Sequence, residues 1–231
     1  MKTKYLIVSA LAVCSVILSS CSDDKLPEVS PVATGTMTDG EGNVYNWVQI
    51  GDLQWTTSNA NCGPSMYDAS YDNGDEYVFS DSEEEYVEET YRPQYGNLMQ
   101  IADALKCVPE GWRIPTDEDW AKLEAAYGVK NTETKGARGA GAAFNMMSHE
   151  GLSLSLSGAI LPTKSYGWYE WNLERIGAFG YYWTSTVDND RDDPDNVYYY
   201  YRRINNYNGE IDRESTIESC WFSVRWVRDA K

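Results

Sequence analysis

The chain has 231 residues, with 19 Lys and Arg against 36 Asp and Glu for a formal charge of −17, which suits one domain plus attachments. Such a field excludes nucleic-acid binding, which needs clustered cations to displace counterions, and it disfavours direct adsorption to anionic lipid. Tyr (18) and Trp (9) far outnumber Phe (4); both pair an apolar face with a polar tip and serve core edges as well as binding surfaces.

The first 20 residues read as a leader. Lys2 and Lys4 precede an apolar run from Tyr5 to Leu18, too short to span a bilayer but right for a secretory signal. "LSSC", ending at Cys21, resembles a bacterial lipobox, which implies cleavage before Cys21 and its acylation. The following "SDDK" resembles the acidic export tag of surface lipoproteins in the Bacteroidetes. The expectation is an outer-membrane lipoprotein displayed at the cell surface, touching the membrane only through its N-terminal lipid. Residues 21–34, acidic with two prolines, read as a tether, and residues 35–231 as one domain.

"GTMTDGEGNVYNWVQIGDLQWTTSN" alternates around two glycine turns and predicts a β-meander. From Asp68 to Glu89 the chain is strongly acidic and has little to bury, so a solvated loop is expected. "YGNLMQIADALKCV" places Leu98, Ile101, Ala102 and Leu105 at helical spacing. The next helix is better signalled. Thr116 can cap it, Asp117, Glu118 and Asp119 sit at its positive end, Trp120, Leu123 and Tyr127 form an inner face, and Gly128 stops it. "KGARGAGAAF" lacks the strand–loop–helix context and the Lys-Ser/Thr of a phosphate loop. "LSLSLSGAIL" puts Leu152, Leu154 and Leu156 on one buried face, and "YYWTST", "VYYYYRRI" and "WFSVRWVRD" complete the later strands. The fold class is α+β, with two helices and antiparallel β-sheets.

In this order, "GTMTDGEGNVYNWVQIGDLQWTTSN", "CVPEGWRIPTDEDWAKLE", "GYYWTST" and "FSVRWVRD" resemble the Fibrobacter succinogenes major paralogous domain family, over roughly residues 35–229. The resemblance implies a C-type lectin-like fold, distantly similar to the formylglycine-generating enzyme domain, and no established chemistry. Members often carry Cys in the last strand, as in "SVRC"; Trp226 stands there instead, with Cys220 six residues earlier. Without Cys14, lost with the leader, and the acylated Cys21, three cysteines remain. Their odd number allows at most one disulfide, and Cys107–Cys220 is the expected pair.

Catalytic signatures are scarce. His149 is the only histidine; it lacks the second ligand of an HExxH zinc site and a GxSxG elbow to serve. A glycosidase pair needs two carboxylates facing across a cleft, which linear order does not reveal. The expectation is a binding module rather than an enzyme. Calcium is the one cofactor to weigh. Asp188, Asp190 and Asp192 alternate as oxygen ligands can, although Asp193 and Tyr199 occupy the places an EF-hand gives to Gly and Glu.

"NVYYYYRRINNYNGE" remains, residues 196–210. In a strand, Tyr199 and Tyr201 share one face with Val197, while Tyr198, Tyr200 and Arg202 share the other. Alternation leaves open which face is inward; the expected arrangement turns Tyr198, Tyr200 and Arg202 to solvent. With Asn206 and Tyr207 in the following turn, and Trp168 and Trp171 in "YGWYEWN", they would form a surface for a glycan or protein ligand, chemically like an antibody recognition loop. The competing class is a structural envelope component with no soluble ligand.

Overall fold

The structure is a computed structural model that describes residues 25–64, 86–165 and 168–231, with the side chains of 163–170 outside that description. The leader, Cys21 and most of the acidic run therefore lie outside the described residues.

Among the described residues, ten strands form three antiparallel arrangements. One sheet runs β1 (Ala33–Thr38), β2 (Val44–Ile50), β3 (Leu53–Thr56) and, next to β3, β10 (Val227–Asp229). A second has the order β4 (Gly136–Arg138), β9 (Ile211–Ile217), β8 (Tyr198–Asn205), β7 (Phe179–Val187). β5 (Ala159–Ser165) and β6 (Trp168–Glu174) make a two-stranded ribbon. Among the described residues there are four α-helices rather than the two expected: α1 (Arg92–Tyr95), following a π-helical turn at Val87–Tyr91, α2 (Ile101–Lys106), α3 (Asp117–Ala126) and α4 (Ala142–Met147). The chain is thus a mixed α and β protein with mostly antiparallel sheets.

The helix at Asp117–Ala126 forms as its sequence requires. Thr116 Oγ1 accepts from the Asp119 backbone N–H, and the Asp119 carboxylate accepts from that of Thr116, a closed capping box. Trp120, Leu123 and Tyr127 are buried, and Gly128 ends the helix at φ +85°. Trp120 meets Trp55 edge-on at 5.2 Å and lies 5.5 Å from the Tyr182 ring, so α3 packs between the two larger sheets. The earlier helix is one turn shorter than expected and rotated: Ile101 and Ala104 face inward while Leu105 is exposed. Leu152 and Leu154 are buried as predicted, but that segment is an extended connection and the strand begins only at Ala159.

Residues 221–227 stitch the molecule together. Trp221 exchanges backbone hydrogen bonds with Ile160, Phe222 with Met99, and Val227 with Arg113, while Ser223 bridges Tyr181 and Trp183. Val224 and Trp226 carbonyls accept from Ala60 and Thr56. The expected tether is also not free from Lys25 onward. Leu26 and Val29 pack on the core, and Val32 N–H bonds the Gln49 carbonyl.

The strand of four tyrosines is covered on both sides. Tyr199 packs on Trp183, and Tyr201 on Tyr181 and Phe222. On the other face Arg202 has no exposed surface. Its Nε pairs with Glu124, and its Nη1 donates to Asp117 Oδ1 at 2.6 Å. Arg138 bonds the other Glu124 oxygen at 2.6 Å, and Arg213 grips Asp117 at 2.7–3.0 Å. This corrects the outward orientation expected for Tyr200 and Arg202: a guanidinium leaves water only where carboxylates await it, and α3 supplies two.

Arg202→Ala should lower the unfolding free energy by roughly 3–5 kcal/mol, because it strips a partner from a buried carboxylate. In urea titrations the double variant with Glu124→Ala should lose less than the sum of the single variants.

Candidate functional site

The expected ligand surface does not assemble as one patch. Tyr198 is half-buried, its hydroxyl donating to Asp193 at 2.9 Å with Arg191 over its ring. Tyr200, 9 % exposed, donates to Asp188 and has Arg213 stacked 4.0 Å from its ring centre. Trp171 is half-buried against two core clusters, and the Trp168 side chain lies outside the described residues. Asn206 and Tyr207 are exposed as expected, because the β8–β9 turn projects them. Asn205 Oδ1 accepts from the backbone N–H groups of Tyr207 and Asn208, and Gly209 takes φ +63°. Tyr207, 62 % exposed, stands edge-on to Phe179 at 5.3 Å.

The three aspartates proposed for calcium do not converge. Asp188 points inward and accepts from Lys135 (2.8 Å), Ser215 (2.5 Å) and Tyr200 (3.0 Å), whereas Asp190 and Asp192 are exposed. Among the described residues no three His, Cys, Asp or Glu side chains are grouped to hold a metal ion. Burial opposes ionisation of Asp188, but these side-chain donors and the Asp190 backbone N–H outweigh it and hold the carboxyl well below the ordinary 3.8.

Cys107 and Cys220 are not bonded. Cys220 is buried with its Sγ 3.3 Å from Thr216 Oγ1, and burial pushes its thiol up to about 11; Cys107 sits beside Cys62 instead. Trp226, standing where the resemblance led one to look for Cys, is fully buried in the same core cluster as Cys62 and Cys220. His149 is exposed.

A polar concavity among the described residues lies elsewhere, where the β3–α1 connection, α1 and the 153–155 segment meet. It is a cleft of about 420 Å³, within the usual range for ligand sites. Its floor is Arg225. Buried guanidinium N–H groups need acceptors, and here Nε donates to Asn59 Oδ1 (2.7 Å), Nη1 to the Thr56 and Leu152 carbonyls (2.8 and 2.9 Å), and Nη2 to that of Ser153 (2.8 Å). Asn59 in turn donates to the Tyr95 carbonyl at 2.7 Å and to Ser155 Oγ at 2.9 Å. One wall is Arg92, whose Nε and Nη2 fix the Asn61 side chain and carbonyl at 3.3 and 3.0 Å, while Nη1 reaches Glu88 at 3.2 Å. The described lining includes Asn, Gln, Ser, Thr, Tyr and two Arg side chains, and no carboxylate. No described acid pairs with Arg225; burial lowers its pKa, with only Tyr182 opposing.

Mixed α and β architecture closed by a terminal segment around "GWRIPTDEDW" and "SVRWV" defines the class of domain. Residues 48–228 match the Fibrobacter succinogenes major domain, and the chain belongs to that family. No curated protein and no solved structure matches the chain. Sequence reasoning missed the cleft because its parts come from five separated segments. The one local hint was Arg225, an arginine between apolar residues in a segment read as a strand.

Asp188→Asn tests the inward role of that carboxylate. A group that ionises more readily when folded contributes stability above its unfolded pKa and loses it as pH falls toward the folded value. The variant should therefore be less stable at neutral pH. Its deficit in urea titrations should shrink as the pH drops below the ordinary aspartate value of 3.8.

Proposed function

We propose that the protein is a surface module, anchored through acylated Cys21, that holds a glycan in the Arg92–Asn61–Arg225 cleft of a C-type lectin-like domain. The observation that carries this reading is the cleft's lining: amides, hydroxyls and the Arg92 guanidinium gathered above the buried Arg225 in one concavity of a chain with net charge −17. Such groups match the donors and acceptors of sugar hydroxyls, and the Tyr95 ring beside them offers an apolar face.

A second reading keeps the notion of an aromatic docking surface, now reduced to the β8–β9 turn. Tyr207 and Phe179 meet edge-on there, with Arg175 and Arg203 each about 5 Å from the Phe179 ring centre. Rigid rings with nearby guanidiniums suit a protein partner.

The two readings separate on a glycan array probed with residues 25–231, a span that retains Leu26 and Val29. A glycan hit should weaken roughly 10- to 100-fold in Arg92→Ala, the worth of one lost charge-assisted hydrogen bond, and survive Tyr207→Ala unchanged. Loss in Tyr207→Ala with Arg92→Ala intact would transfer the site to the turn, and no hit from any glycan would remove the carbohydrate reading.

A further inference from the structure

Three cysteines are described, and the fold sorts them into a pair and a single residue. Cys62 lies in the connection that follows β3, and Cys107 caps the C-terminus of α2. They are 45 positions apart in sequence, yet Cys62 Sγ lies 4.0 Å from the Cys107 carbonyl oxygen. A Cβ built on the neighbouring Gly63 would stand only 3.0 Å from Cys107 Sγ. The two side chains therefore occupy one small space, between the Cys62–Gly63–Pro64 turn and the end of the helix. That turn is fixed from behind, where Asn97 Nδ2 donates to the Cys62 and Pro64 carbonyls at 3.0 and 2.9 Å, and Gly63 N–H donates to Glu41 at 2.9 Å. After burial itself, Cys107 is the neighbour that most disfavours ionisation of Cys62. Cys220 sits elsewhere, fully buried against Thr216.

We infer that Cys62 and Cys107 form a disulfide bond when the folded chain meets a thiol oxidant, leaving Cys220 as the free thiol. Cys107 is half-exposed and Cys62 is buried, which orders the steps. The Cys107 thiolate attacks a disulfide of the oxidant, oxidised glutathione or an exported thiol oxidoreductase, and expels one of its sulfurs as thiolate. Cys62 then attacks the Cys107 sulfur of the mixed disulfide and releases the second. Two S–H bonds are lost and one S–S bond forms, and the oxidant takes up the two electrons and two protons. The bond would pin the residue next to Asn61, so it also fixes the wall that Arg92 completes.

The test is disulfide mapping of the full chain. Detergent-solubilised protein is incubated with oxidised glutathione, alkylated without reduction, digested, and examined by mass spectrometry. The expected result is a peptide pair linked through Cys62 and Cys107, with Cys220 alkylated only after unfolding, and the same pair in Cys220→Ser. Reduction should lower the melting temperature by roughly 5–10 °C, from the loop-closure effect of a cross-link of this span. A Cys107–Cys220 link would overturn the inference, as would Cys107 found only as a glutathione adduct with Cys62 free.

Discussion

A guanidinium removed from water must have its N–H groups met by fixed acceptors, and two such groups govern how this chain closes. Arg202 reaches Glu124 and Asp117 on α3, and so fixes that helix against β8. Arg225 has no described carboxylate partner. It gathers backbone carbonyls from two places, Thr56 and the Leu152–Ser153 pair, together with the Asn59 side chain. The first arrangement settles the second sheet; the second brings together loops that share no ladder of their own. Burial pushes the Glu124 carboxyl above its ordinary value even with two guanidiniums beside it. The clearer contribution of this pairing is to fix which face of β8 meets α3.

The cleft follows from the Arg225 arrangement. Asn59 serves both the guanidinium and the carbonyl of Tyr95, so the floor and the α1 wall are held by one amide. Arg92 then holds Asn61 from the other side. These polar groups are oriented before any ligand arrives, which lowers the ordering cost of binding. The exposed turn at Tyr207 is built differently, from one hairpin whose Asn205 side chain organises its backbone.

Local chemistry was legible and distant pairing was not. Thr116, the acidic first turn, Trp120, Leu123, Tyr127 and Gly128 announced α3 because caps and faces are set within a few residues. The Asn208–Gly209 turn likewise placed Asn206 and Tyr207 outside. The orientation of β8 could not be read in the same way. Alternation assigns side chains to two faces, but both faces of this strand are covered, and an arginine looks exterior until its partners appear 78 and 85 positions away. The same holds for Asp188, whose spacing with Asp190 and Asp192 suggested a shared cation. Its real partners, Lys135 and Ser215, come from other elements. Cysteine parity limited the number of bridges to one, while the choice of partner depended on where α2 ends.

The late segment from Trp221 to Val227 has a kinetic meaning. It touches Ile160, Met99, Tyr181, Ala60, Thr56 and Arg113, each through its backbone, and so acts as the seam along which otherwise separate hairpins and helices are joined. Contacts of such long sequence separation come at the end of a slow search. Until residues 221–227 dock, Ile160, Met99, Ala60, Thr56 and Arg113 are left without these backbone partners.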